Sequence, residues 1–378
     1  MYTGPVVLLL THGSHWTQDF LPWFRAGKDR NMKRILLLIA ITALFTDRPL
    51  SAKDKKDSYI FGSLPLMGWV PYTIAEQKGF WKEQGLDMKV RIYANAPDWL
   101  NGFIHGKTDF VSLPLTFLVD VLNMGVDVTY LGSAEFGYGQ KHLIVKKPLV
   151  GKSLKGEKVG IFAKDSSAKY VLAKYLDQQG LTLKDVEIVY IPDAPLISNF
   201  NKGRLNAIVM YGHLWHDAVE NGGGVLVYST DDYTEPFGLV AKNDLLKKVP
   251  EDVIAKIARG WFKATLWMKD PENWGEFKSI VNKVSFAGQP DFDKEWILDQ
   301  REEWEFRAAR KLYKHNQKEL FDIFDEAGKL FRTTGLLEGK ASKKWTQKNI
   351  INNRVWSNSI REFVAELNSK AKNKGATN

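Results

Sequence analysis

Between Tyr59 and Asn221, short runs of β-branched and aromatic residues alternate with amphipathic stretches that end on glycine, in two successive rounds. In the first round Tyr59–Phe61 reads as a strand, and a helix follows Trp69 with Pro71 in its first turn and Gly79 as its stop. Met88, Val90 and Ile92 then alternate with charged residues as a second strand. Asn95 is an expected N-cap for a helix ending at Gly106, with Pro97 and Asp98 in its first turn. Phe110-Val111, a helix Thr116–Met124 and a strand Val126–Leu131 complete the round. In the second round Lys158–Phe162, Val186–Ile191 and Ala207–Met210 are strands. The helices between and after them begin near Ser166-Ser167, Ala194 and Leu214. GKTDFVS (106–112) and GRLNAIV (203–209) both turn off a helix and enter a strand through Asp or Asn, so the rounds read as two similar α/β lobes. Beyond Pro250 the spacing is helical and rich in tryptophan (Trp261, Trp267, Trp274, Trp296, Trp304), rings expected to pack against the lobes. The polar end, 368–378, is expected to fray.

Residues 32–52, MKRILLLIAITALFTDRPLSA, have a short basic start, an apolar run from Ile35 to Phe45 and a small pair, Ser51-Ala52. The apolar run is too short to span a bilayer and suits a secretory signal. Residues 1–31 are unusual ahead of such a signal, so Met32 is the expected start. Removing 1–52 leaves 47 Lys/Arg against 41 Asp/Glu of the full chain's 53 and 44. These charges are interspersed, the pattern of a solvated, mildly basic surface and not of a nucleic-acid face. The absence of cysteine excludes disulfides, thiol catalysis and a cysteine-linked lipid anchor. A soluble, exported, monomeric protein of the periplasm is expected.

No catalytic constellation is legible. Gly222–Gly224 lacks the Lys-Ser/Thr of a phosphate loop, no GxGxxG follows a strand, and no nucleophile elbow is present. His213 and His216 are spaced to share a helical face but have no HExxH or carboxylate pair beside them, so neither metal nor cofactor is expected. The turns at the carboxyl ends of the strands are the informative part, because open α/β sheets bind ligands there beside helix N-termini. They gather Trp69, Asn95, Trp99, Ser112, Ser166, Ser167, Asp193, Tyr211 and Trp215, with Tyr170 nearby. Aromatic walls with a few polar groups suit a small planar or amphiphilic ligand, although any one of these rings could equally serve inter-lobe packing.

The phrase PYTIAEQKGFWKEQGLDMKV (71–90) resembles the opening of the first lobe in the nitrate/sulfonate/taurine/pyrimidine-precursor group of periplasmic solute-binding proteins. GKTDFVS is similar to that group's third strand, and SLKGEKVGI (153–161) to its entry into the second lobe. The resemblance covers about 59–269. It implies a bilobed α/β type II binding-protein fold, with two parallel-rich sheets carrying helices on both faces and a helical C-terminal extension. On that reading lobe 1 is 58–147 and 242–330, lobe 2 is 148–241, and the extension is 331–378. The crossings fall near 146–152 and 228–241. The implied partners are a small solute and an ABC permease with its ATPase. YGHLW (211–215) departs from the group's Glu-Pro turn, so ligand identity does not transfer. The candidate turns contain no Arg, and acids (Asp98, Glu135, Asp165, Asp193) outnumber Lys164. That balance favours an aminopyrimidine-like heterocycle, with a small sulfonate- or nitrate-type anion as the close second. A clamshell turned sensory or partner-docking protein is the alternative. An enzymatic branch of the group needs a cysteine-rich iron site that this chain lacks.

Overall fold

The computed structural model describes residues 58–137, 141–162, 166–211, 215–229, 235–302 and 304–375. The expected leader and its upstream segment, His213, Lys164 and Asp165 lie outside the described residues. In chain order the strands are β1 (Ser58–Ser63), β2 (Asp87–Ile92), β3 (Phe110–Pro114), β4 (Val128–Gly137), β5 (Lys141–Lys146) and β6 (Lys158–Phe162). They continue with β7 (Glu187–Ile191), β8 (Ala207–Tyr211), β9 (Gly224–Ser229), β10 (Glu235–Lys242) and the two-residue β11 (Trp304–Glu305). They form two sheets, in the orders β11-β4-β10-β3-β1-β2 and β7-β6-β8-β5-β9.

Both sheets are mixed. β1 runs parallel to β2 and β3, and β6 runs parallel to β7 and β8. These strands have crossover helices between them, and the alternating pattern marks them all, together with the start of β4. β10 is antiparallel to β3 and β4, and β5 is antiparallel to β8 and β9. Strands joined without a crossover helix leave no alternation to read. Two boundaries move as a result. Lys141–Lys146, expected in the first lobe, pairs into the second sheet, so the first crossing falls between Gly137 and Lys141 and not near 146–152. The return falls between Ser229 and Glu235, inside the expected 228–241, while Glu235–Lys242, expected in lobe 2 as far as 241, belongs to the first sheet.

Six helices follow the turns expected to hold the site: α1 (Val70–Gln77), α2 (Ala96–Ile104), α3 (Leu118–Asn123), α4 (Ser166–Asp177), α5 (Asp193–Asn201) and α6 (Trp215–Glu220). α1 begins where expected because Pro71 fills its first turn, which needs no N–H, and Trp69 stands at its N-cap. α2 is started by Asn95, whose side chain accepts the Asp98 N–H at 2.9 Å. The chain leaves α2 through Gly106 at φ +74°, a left-handed turn that costs glycine nothing. Burial of Trp99 and Phe103 on one face docks α2 against the first sheet.

After the return the chain is helical, beginning with α7 (Asn243–Leu246) and α8 (Glu251–Trp267). Trp261 is fully buried in α8, with Phe262, Phe306 and Trp356 around it. The final helix, Arg354–Gly375, docks on β4 through Trp356, whose indole N–H donates to the Ser133 carbonyl at 2.9 Å. That approach needs Gly132: at φ +141°, a Cβ there would lie 2.5 Å from the Trp356 ring. The expected frayed tail instead continues this helix to Gly375. The helix Leu320–Thr333 touches both lobes. Its Phe331 is buried 5.6 Å from the Tyr170 ring of α4, Glu326 pairs with Lys174, and Leu330 packs against both cores.

Candidate functional site

The carboxyl ends of β1, β2 and β3 face those of β6 and β8 across a cleft of about 620 Å³. The first sheet contributes Leu64–Leu66 and Trp69 after β1, 94–97, 99–101 and Ile104 after β2, Leu113 and Pro114 at the end of β3, and Phe117, Asp120 and Met124 beyond it. The second contributes Lys141, Phe162, Ser167 and Tyr211, while Phe237 of β10 adds to the lining. Two aromatic pairs stand on opposite sheets. Trp69 and Trp99 stack at 5.2 Å, and Phe162 and Tyr211 meet edge to face at 5.2 Å.

Of the nine residues expected at the site, Trp69, Asn95, Trp99, Ser167 and Tyr211 line this cleft. Ser112 does not: it is fully buried, and its hydroxyl donates to Glu135. Ser166 is turned to Asp120, its N–H donating to Oδ2 at 2.8 Å and its hydroxyl to Oδ1 at 2.6 Å. Trp215 stacks on His216 at 3.9 Å and leans on His142, outside the lining. Asp193 opens α5, and its side chain lies outside the described residues. An isolated sequence shows which turns hold aromatics, but a helix start fixes which of two neighbours, Ser166 or Ser167, lines the cleft.

Several lining residues carried weaker signals. Asp120 sits inside a helix that reads as ordinary core packing, yet its carboxylate reaches across to the N-terminus of α4 in the other lobe. Lys141 opens an apolar run, KHLIV, and a lysine that begins a buried strand needs a partner, which is the signal that was available. The partner is Glu235, with Nζ to Oε2 at 2.5 Å, and the same carboxylate accepts the Thr116 hydroxyl. Phe117, Phe162 and Phe237 gave no sequence signal distinct from core residues.

Glu135 is fully buried on β4 with Ser112 and Tyr72, whose hydroxyl lies 3.5 Å from Oε2. Burial pushes its carboxyl up from 4.5 to about 8, and the Ser112 and Tyr72 hydroxyls only partly offset this. The Trp69 indole N–H makes no hydrogen bond but lies near enough to favour the charged form slightly. At neutral pH this carboxyl is therefore mostly protonated.

One chain of groups has the order of a catalytic triad. Ser133 Oγ lies 3.1 Å from His315 Nε2, and His315 Nδ1 lies 3.0 Å from Glu319 Oε2. Ser133 and His315 are buried, and neither lines the cleft. Arg307 also pairs with Glu319, and the Asn316 amide both donates to and accepts from the Ser133 backbone. The group fastens the His315–Glu319 π-turn to β4. Among the described residues, no three His, Asp or Glu cluster as metal ligands, and no helix is long and apolar enough to cross a membrane.

Residues 52–282, more than half of the chain, match the NMT1-like family. A candidate binding protein of Brucella abortus (strain 2308) is 24% identical over 191 residues, 49% of this chain, and one of Brucella suis matches equally. The match spans 59% of the length of these relatives. Among solved structures, the periplasmic aliphatic sulphonate binding protein SsuA from Escherichia coli superposes with a TM-score of 0.59 at 18% identity, covering 80% of this chain and 99% of that one. The periplasmic nitrate-binding protein NrtA from Synechocystis PCC 6803 gives 0.56 at 14% identity, covering 81% and 89%. At such identities the likeness is one of fold, the bilobed α/β architecture of periplasmic binding proteins.

Proposed function

The chain belongs to the NMT1-like family, and from that premise we propose that it is the exported solute-binding component of an ABC importer. It captures a small organic solute between its lobes and presents it to a membrane permease with its ATPase. One observation carries the reading: aromatic pairs from two different sheets, Trp69–Trp99 and Phe162–Tyr211, flank a single cleft. A ligand touching both lobes favours their approach by its differential affinity for the closed arrangement. The volume suits a ring-bearing metabolite, with an aminopyrimidine-like heterocycle or a small sulfonate- or nitrate-type anion as the solute classes. Export through residues 32–52 and release as a monomer into the periplasm complete the proposal.

A thermal-shift screen of the purified protein against pyrimidines, thiamine precursors, flavins, sulfonates, nitrate and amino acids tests it. Ligand at a hundredfold excess over Kd stabilises the folded state by about 2.7 kcal/mol, a readily seen shift. A shift confined to one solute class supports the reading. Well-folded protein that responds to none of them sinks it.

A further inference from the structure

The recognition chemistry of the cleft is largely consumed by the protein itself, and this narrows the ligand on the binding-protein reading above. Anion recognition needs a cation, or exposed N–H groups at a helix start. Among the described lining residues the cation is Lys141, and the second lobe's helix start at the cleft is that of α4; a carboxylate of the first lobe already meets both. The Lys141 ammonium is held by Glu235 at 2.5 Å, with 8% and 1% of the two side chains exposed. The start of α4 is held by Asp120, which accepts both the N–H and the hydroxyl of Ser166. Two further polar side chains of the lining are engaged as well. Asn95 exchanges two hydrogen bonds with Asp98, each 2.9 Å, and the Trp99 indole N–H donates to the Gly62 carbonyl at 3.0 Å.

We infer that the cleft takes an uncharged, ring-bearing organic molecule and turns away small anions such as sulfonates and nitrate. An anion entering near α4 would have to displace Asp120 or sit beside its charge, in a cleft whose walls are mainly rings and aliphatic side chains. A cation gains little, since both carboxylates are committed. A neutral ring loses no ionic hydration and meets aromatic faces on two sides. Asp120 thereby sets specificity as an internal stand-in for the anion.

The experiment is calorimetric titration of the full chain with matched probes: benzenesulfonamide against benzenesulfonate, quinoline against quinoline-2-carboxylate, and 4-aminopyrimidine against nitrate. The neutral member of at least one pair should bind tenfold or more tightly than its anion. Asp120→Asn, checked for folding by circular dichroism, should bind the anion of that pair at least tenfold better than the wild type does. An anion that binds wild-type protein more tightly than its neutral partner overturns this inference and leaves the binding-protein reading standing. An unchanged anion affinity in folded Asp120→Asn also overturns it, because the carboxylate would not then be the cause. If Asp120→Asn does not fold, the wild-type pairs alone decide. Binding of no probe by either protein overturns the binding-protein reading and this inference with it.

Discussion

Lys141 and Glu235 lie on opposite sheets, each within a few residues of the chain's passage from one lobe to the other, and they form a buried ion pair 2.5 Å long. The second oxygen of Glu235 accepts from Thr116, so the carboxylate is satisfied on both sides. A buried pair of this kind need not add net stability, since desolvation opposes the attraction. Its removal by halves is a different matter. The pair fixes where the two sheets meet, directly under the cleft.

Glu235→Gln should therefore destabilise the protein by about 3–5 kcal/mol, because it leaves the Lys141 ammonium buried without its counter-charge. The double change Lys141→Met with Glu235→Leu should recover most of that loss. Urea unfolding of the two variants beside wild type measures it. A single variant as stable as wild type would mean that the ammonium escapes to water and that the lobes are not pinned there.

The pH dependence of stability should carry the mark of Glu135. Its folded carboxyl is raised from 4.5 to about 8, so the folded state holds a proton that the unfolded state releases. The stabilisation is complete below pH 4.5 and is lost as pH rises through 8. Glu319 acts in the opposite sense: His315, then Arg307, hold it low, and its contribution is lost as pH falls below the usual carboxylate range. Unfolding midpoints between pH 5.5 and 8.5 should decline for wild type and flatten in Glu135→Gln. Parallel curves for the two proteins would place the titration elsewhere.

Gly132→Ala should cost on the order of 2–3 kcal/mol, more than an ordinary surface glycine substitution. A Cβ there meets the Trp356 ring at 2.5 Å from a backbone already at φ +141°. Hydrogen exchange should show the Arg354–Gly375 helix losing protection first. Undiminished protection in that helix, with Tm unchanged, would contradict the close approach.

The contact between the helix Leu320–Thr333 and α4 allows two effects to be ranked. Phe331→Ala removes a fully buried ring beside Tyr170 and should cost about 3–5 kcal/mol. Glu326→Ala removes an ion pair with Lys174 that is half exposed on the acidic side and should cost less than about 1 kcal/mol. Thermal melts of both variants compare them. A larger loss from Glu326→Ala would show that charge, and not ring packing, joins this helix to the second lobe.

The parallel strands, the helices between them and the turns after β1 and β2 were readable because each rests on a local rule. Pro71, Asn95 and Gly106 act within one turn of helix, and side-chain alternation needs only the next few residues. The antiparallel strands β5, β9 and β10 went unread, since what makes them strands is a neighbour distant in the chain. Lys141 pairs with Tyr211, and Glu235 with Gly137. Register at that distance is set by tertiary contact and leaves no local trace.

At the cleft the same division holds. Sequence determined that aromatic residues stand at the strand ends, because those positions follow from the elements themselves. Which of them share a wall, that Ser112 and Ser166 turn away to carboxylates, and that Asp120 and Lys141 belong to the site at all were decided by the packing of two sheets. The physical reason is that a buried charge must find its counterpart wherever the fold brings one, and separations of 46 residues between Asp120 and Ser166 and 94 between Lys141 and Glu235 are closed only by the tertiary structure.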